Sequence, residues 1–152
     1  MNTIQKELKR GSKFLKENFI NTYKIDSELL LGKVLNKGRE YLFLNYKENL
    51  SNELIYNFES LLKRRKKKEP VAYILNCKEF WKNNFYVDQN VLIPRPDTEI
   101  LVEEIMKLYG KQKKLSILDV GTGSGCIIIS ILKERQKFTG TAIDISKKAL
   151  NI

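Results

Sequence analysis

The spacing of apolar positions changes near the middle of the chain. Between residues 3 and 20, Ile4, Leu8, Leu15 and Phe19 recur close to whole helical turns with charges between them, which predicts an amphipathic helix. A second, shorter helix is expected from Asp26, read as its N-cap, through Leu29, Leu30, Val34 and Leu35. Ser51 is placed to cap a third, whose stripe is Leu54, Ile55, Phe58, Leu61 and Leu62, and Pro70 closes the section. These stripes have only one another to pack on, so residues 1–69 read as a small helical domain, with Tyr41, Phe43 and Tyr46 expected in its core.

From Val71 the pattern turns aromatic and β-branched. The stretch EFWKNNFYVDQNVLIP predicts two short strands turning at Asn83-Asn84, so residues 70–95 read as a linker built on a β-hairpin. In RPDTEILVEEIMKLYG, Asp97 or Thr98 can cap a helix carrying Ile100, Leu101, Ile105 and Leu108 on one face, with Gly110 to end it. Leu115–Val120 is almost continuously apolar, the signature of a fully buried parallel strand. A glycine loop, a helix from about Ser124 to Gln136, an apolar strand Thr139–Ile143 ending in Asp144, and a further helix from Lys147 complete residues 96–152. Strand, helix, strand in that order is the unit of doubly wound α/β folds.

Composition adds constraints. The chain of 152 residues carries a formal charge of +10, and residues 1–70 hold 16 Lys/Arg against 9 Asp/Glu while residues 71–152 hold 12 against 9. The unbroken run Lys63 to Lys68 accounts for most of that asymmetry. It reads first as a solvated helix end, where cations meet the negative end of the helix dipole, and second as a docking patch for an acidic partner. Histidine is absent and the two cysteines, Cys77 and Cys126, stand 49 positions apart, so Cys/His zinc sites and histidine acid–base chemistry are excluded and no metal ligand is expected. Unpaired small cysteines read first as packed apolar residues; for Cys126 the alternative is a helix start that could lower its pKa. No apolar run approaches the ~18 residues of a membrane span, and the N-terminal residues lack a secretory pattern, so a cytoplasmic protein with no membrane partner is expected.

The candidate chemistry lies in ILDVGTGSGCIIIS. Glycines between a strand and its helix bring backbone N–H groups close to a ligand. A phosphate loop of the GxxxxGK[ST] type fails because no glycine precedes Lys-Ser or Lys-Thr, and the dinucleotide fingerprint GxGxxG fails because Cys126 stands where its last glycine belongs. What is present is Gly121, Gly123 and Gly125, preceded by Asp119 and followed by Asp144 at the end of the next strand. That set suits a nucleoside with an amino-acid tail, S-adenosylmethionine, whose ribose hydroxyls Asp144 can accept on its two carboxylate oxygens.

Taken together, LLKRRKKKEPVAYI, EFWKNNFYVDQNVLIPRPDTEILVE, ILDVGTGSGCIIIS and AIDIS, in that order, resemble the PrmC/HemK family of release factor glutamine methyltransferases. The resemblance implies an α/β protein: a helical N-terminal domain for substrate recognition, a β-hairpin linker, and the first strand-helix-strand part of a class I, Rossmann-like S-adenosylmethionine-dependent methyltransferase domain. It implies methyl transfer to the glutamine amide in the Gly-Gly-Gln motif of class 1 peptide chain release factors. By position, Gly121, Thr122, Gly123, Ser124 and Gly125 would line the methionine side of the cofactor, Asp144 would bind its ribose, and Asp119 would orient the loop or meet the methionine amino group. The Arg95 to Glu99 segment would close the site.

One departure stands out. The family holds its acceptor amide with an Asn-Pro-Pro-Tyr motif, and the three prolines here, Pro70, Pro94 and Pro96, are never adjacent. No catalytic residue is therefore assigned, the second domain is expected to be incomplete, and the chain alone is expected to be an inactive, monomeric fragment. Two other readings remain: a non-catalytic module that binds a release factor through its helical half, and a related nucleic-acid amino-methyltransferase, which the distinctive N-terminal half disfavours.

Overall fold

A computed structural model describes residues 2–109, 111 and 114–152. The chain divides into two compact units, Met1–Leu75 and Asn76–Ile152.

The first unit is helical: α1 (Ile4–Glu17), α2 (Tyr23–Leu35), α3 (Arg39–Leu44), α4 (Asn52–Lys66) and α5 (Val71–Leu75). The Thr3 hydroxyl accepts the Lys6 N–H at 3.3 Å and the Ser51 hydroxyl accepts the Leu54 N–H at 3.3 Å, capping α1 and α4. Two further donors at the start of α1, Ile4 N–H and Gln5 N–H, reach the carbonyls of Glu48 (3.0 Å) and Tyr46 (3.1 Å), so the chain after α3 closes that helix end. Most of the expected stripe residues join the core, in which Ile4, Leu15, Leu30, Leu31, Leu42, Phe58 and Ile74 are fully buried; Phe19 does not, being 86% exposed just past the end of α1 at Glu17. Gly11 lets three helices meet: a Cβ there would lie 2.6 Å from Phe58 Cζ and 2.6 Å from Ser27 Oγ.

Two further expectations in this unit are corrected. Asp26 does not cap α2, which begins at Tyr23 after Thr22; its carboxylate is buried, accepting the Thr22 hydroxyl at 2.8 Å and Arg65 Nε at 2.7 Å. A cap's side-chain oxygen accepts a backbone N–H of the first turn, whereas this carboxylate meets a guanidinium arriving from α4. Phe43 is not a core residue either; it is 42% exposed and Leu44 is 84% exposed, because α3 is so short that Leu42 alone points inward.

The basic run is mostly committed within the unit. Arg64 holds Glu69 through two nitrogens, Arg65 holds Asp26 and the Glu69 carbonyl, and Lys66 lies 5.7 Å from the Phe14 ring centroid. Lys68 Nζ donates to the carbonyls of Asn18 (3.1 Å) and Phe19 (2.7 Å), the open C-terminal end of α1. Four of the six cations therefore staple α4 to α1, α2 and the turn after α4, which removes most of the support for the run as a docking patch.

The second unit mixes helix and strand: β1 (Lys78–Phe80), β2 (Asn83–Phe85), α6 (Glu99–Tyr109), β3 (Ser116–Val120), α7 (Cys126–Glu134), β4 (Thr139–Ile143) and α8 (Lys147–Leu150). A 3₁₀ turn, Pro96–Thr98, leads into α6. Gly110, expected to end that helix, lies outside the described residues.

The hairpin turns two residues earlier than expected. Phe80 pairs with Asn83, so the turn residues are Trp81 (φ 46°) and Lys82 (φ 62°), both left-handed. The left-handed region costs non-glycine residues about 1–2 kcal/mol each, and tertiary bonds offset it. Trp81 N–H donates to Glu99 (3.0 Å), its indole N–H to Glu134 (3.0 Å), and Lys82 Nζ pairs with Glu134 (3.1 Å). Asn83, expected inside the turn, instead closes it from the side by donating to the Trp81 carbonyl at 2.7 Å.

β3 and β4 pair in parallel, Ser116 against Thr139 through Val120 against Ile143. α7 lies close on the pair: a Cβ at Gly140 would stand 2.6 Å from Ile128 Cδ1. Phe80, Phe85, Val102, Cys126, Ile131 and Phe138 form the buried cluster. The expectation of a fully buried β3 is corrected, since Leu118 is 60% and Val120 70% exposed; with only two strands, the helices cover one face. Among the described residues no helix is long and apolar enough to cross a membrane.

Candidate functional site

The site is the loop between β3 and α7 with the end of β4. Gly121, Gly123 and Gly125 take φ of 78°, 57° and 73°, values that glycine adopts without a Cβ penalty. The alternation folds the loop back on the neighbouring strand: Gly121 N–H and Thr122 N–H both donate to the Ile143 carbonyl, at 2.8 and 3.1 Å. Gly125 then opens α7, where a Cβ would stand 2.9 Å from Ile129 Cδ1. At Gly121 and Gly123, by contrast, a Cβ would meet nothing within 4 Å. Their outer side is open to whatever approaches the backbone.

Two carboxylates brace this loop. Asp119, the penultimate residue of β3, accepts the Thr122 hydroxyl at 2.8 Å. Asp144, one residue beyond β4, accepts Gly123 N–H on one oxygen at 2.9 Å and Ser146 N–H on the other at 2.8 Å. The Ser146 and Gly123 N–H groups, in that order, hold the Asp144 carboxyl below its ordinary pKa. The structure thus joins Asp119 to Thr122 and Asp144 to Gly123 around one loop whose ends are pinned to β4. Ser124 points elsewhere: its hydroxyl is buried with no hydrogen bond of normal geometry, beside the Cys126 thiol.

Cys126 is packed, as expected first of an unpaired small cysteine, and the alternative of a lowered pKa is not met. Burial raises its pKa, outweighing the backbone and Ser124 contacts that act the other way. A helix start lowers a thiol pKa only where the thiolate stays solvated, and Cys126 packs in the core.

Sequence reasoning overlooked Ser146, which shapes the site twice, donating its N–H to Asp144 and capping α8 by accepting Ala149 N–H at 3.2 Å. The signal was present as Asp-x-Ser, in which an Asp side chain takes the N–H two residues on. It also overlooked the partner of Glu99, whose carboxylate holds the turn residue Trp81. Among the described residues no group of three or more His, Cys, Asp or Glu could hold a metal ion.

Residues 7–75 match the family described as the PrmC N-terminal domain. Over 86% of its length the chain is 47% identical to a release factor glutamine methyltransferase from Coxiella burnetii, covering 47% of that protein. It is 42% identical over 95% of its length to one from Leptospira interrogans, covering 51%, and 37% identical over 99% to a bifunctional methyltransferase from Rickettsia bellii, covering 32%. The chain therefore spans about half the length, or less, of these relatives.

Proposed function

Because the chain is a homologue of the release factor glutamine methyltransferases, we propose that it supplies the methyl-donor half of such an enzyme, with S-adenosylmethionine seated on the Gly121–Gly125 loop. The second unit is then the opening strand-helix-strand part of a class I, Rossmann-like methyltransferase domain. Residues 1–69 serve substrate recognition, 70–95 link, and 96–152 hold the cofactor. The acceptor is the glutamine amide of a class 1 release factor.

The observation that carries the cofactor assignment is the meeting of Asp144 with Gly123 N–H at 2.9 Å. It puts an acceptor carboxylate beside glycine amides at the end of a parallel strand, where α/β folds bind nucleosides. The residues present fit the group in two respects. Gly121 and Gly123 leave open space on their outer side, and Asp144 is held ionised by backbone donors.

When bound, S-adenosylmethionine supplies an electrophilic methyl group on a sulfonium. The work of this chain is to bind and orient it. Gly121 to Gly125 lie along the methionine portion, Asp144 accepts the ribose hydroxyls, and Asp119 fixes the loop through Thr122. An amide nitrogen is a weak nucleophile because its lone pair is delocalised into the carbonyl, so the acceptor must be held in line by positioning and hydrogen bonds. The Asn-Pro-Pro-Tyr motif that does this in the family does not occur among these 152 residues, and the chain by itself is expected to bind cofactor without turnover.

Calorimetric titration with S-adenosylhomocysteine tests the assignment. Saturable binding is expected, and Asp144→Ala should abolish it while leaving the circular dichroism spectrum unchanged. Wild-type binding that survives this substitution would remove Asp144 from the site.

A further inference from the structure

Gln5, Leu8, Lys9 and Ser12 lie on one face of α1, and they form one wall of a surface groove of about 370 Å³. Lys24 and Glu28 of α2 lie along it, and Phe43 and Tyr46 close it. The closing wall is fixed in place. The two rings meet edge to face at 5.7 Å between centroids, and the Tyr46 carbonyl accepts Gln5 N–H at 3.1 Å. A second hollow shares Phe43 and Tyr46 and continues past Leu44 to Lys47. The aliphatic and aromatic surface left open here, Phe43 and Leu44 above all, belongs to a helix too short to turn it inward.

The charges around the groove are unbalanced in a specific way. Of its acids, Glu28 is paired with Arg39 Nε at 2.8 Å, while the neighbouring Glu48 accepts the Tyr41 hydroxyl at 2.6 Å and keeps its charge, one carboxylate against three lysines. Lys9, Lys24 and Lys47 have no ion pair among the described residues. An apolar trough is thus bordered by free ammonium groups, and it complements a ligand that is acidic with an apolar anchor.

We propose that this groove docks an acidic peptide segment of a partner protein, one aliphatic or aromatic side chain entering between Leu8 and Phe43 while carboxylates meet Lys9, Lys24 and Lys47. A nucleic acid would share the charge complementarity, but bases stack on free flat aromatic faces. Here the two rings pack against each other and the floor is a leucine. The proposal stands on the helical unit alone and is independent of the methyl-transfer reading.

The test is selection from a displayed random-peptide library on the immobilised full chain. An anisotropy titration of the enriched peptide against wild type, Phe43→Ala and the double variant Lys9→Glu/Lys24→Glu then follows. All three positions are at the surface, and matching circular dichroism spectra establish that the variants fold. The expected result is enrichment of Asp/Glu-rich peptides bearing a Leu, Met or aromatic residue. Their affinity should fall about tenfold or more in each variant and decline with salt. No enrichment, enrichment of basic or uncharged peptides, or affinity unchanged in both variants would overturn the proposal. Displacement of the peptide by oligouridylate would assign the groove to nucleic acid and overturn it equally.

Discussion

Replacing Gly11 by alanine should destabilise the helical unit, against the usual effect of that change in a helix. In the middle of an α-helix, Gly→Ala ordinarily stabilises by about 1 kcal/mol, because glycine loses more backbone entropy on folding. At Gly11 the new Cβ would lie 2.6 Å from Phe58 Cζ, 3.0 Å from its Cε1 and 2.6 Å from Ser27 Oγ, where carbon contacts settle at roughly 3.5–4.0 Å. The ring is fully buried, so it must shift by about 1 Å into neighbours that are also packed, and overpacking of this kind costs roughly 1–3 kcal/mol. The Ser27 hydroxyl, which donates to the Leu8 carbonyl at 3.3 Å, is displaced as well, for about 1 kcal/mol more. Set against the helical gain, the net is a loss of about 2 kcal/mol. Urea denaturation followed by far-ultraviolet circular dichroism reads it. With a slope of about 1.5 kcal/mol per molar urea, the helical transition should move down by roughly 1.3 M. Shortening the ring provides the internal check. Phe58→Leu should be destabilising by itself and markedly less so in the Gly11→Ala background, since both changes address the same atoms. A Gly11→Ala protein as stable as the wild type, or a double mutant whose losses simply add, would refute the reasoning.

Breaking the buried pair between Asp26 and Arg65 should be costly, since their side chains are only 4% and 17% exposed. Asp26→Asn is expected to lose about 3 kcal/mol in the same denaturation experiment, and adding Arg65→Met should recover part of it. Because its folded pKa is depressed, the Glu69 carboxylate bound by Arg64 contributes stability that is fully present above its ordinary value of 4.5 and is lost as pH falls through the lower folded value; Arg64→Gln should therefore flatten the acid limb of the stability curve. Alkylation by iodoacetamide, followed by mass spectrometry, should label the partly exposed Cys77 well before the buried Cys126, whose pKa is raised.

How far the residues declared their structure depended on whether the deciding contact was local. The stripes of α1 and α4 and the caps at Thr3 and Ser51 depend on neighbours within a turn or two, and the two caps reach three residues on. Ser51 and the period of α4 were accordingly legible, as were the loop glycines. Asp26 misled because a carboxylate near a helix start reads as a cap, whereas the residue that engages it is 39 positions away. The hairpin misled for the same reason. Asn83-Asn84 carries the local turn preference, yet Glu99 and Glu134, 18 and 53 residues from Trp81, hold two unfavoured residues in the left-handed region. Within the candidate site, Gly121, Gly123, Gly125, Asp119 and Asp144 could be chosen from spacing. The bond from Ser146 to Asp144 is equally local and was signalled by Asp-x-Ser, though it was overlooked.

The bonds that shape the donor loop also share a short reach along the chain. Gly123 and Asp144 are 21 positions apart, Ser116 and Thr139 23, and Thr122 and Asp119 only three. All of these partners lie between Ser116 and Asp144, so closing them costs the entropy of loops of only about 20 residues. As the polypeptide leaves the ribosome, the glycine loop and its two carboxylates can therefore take shape as soon as β4 has emerged. The candidate loop and both of its carboxylates are thus laid down as one continuous stretch of chain, before α8 is made.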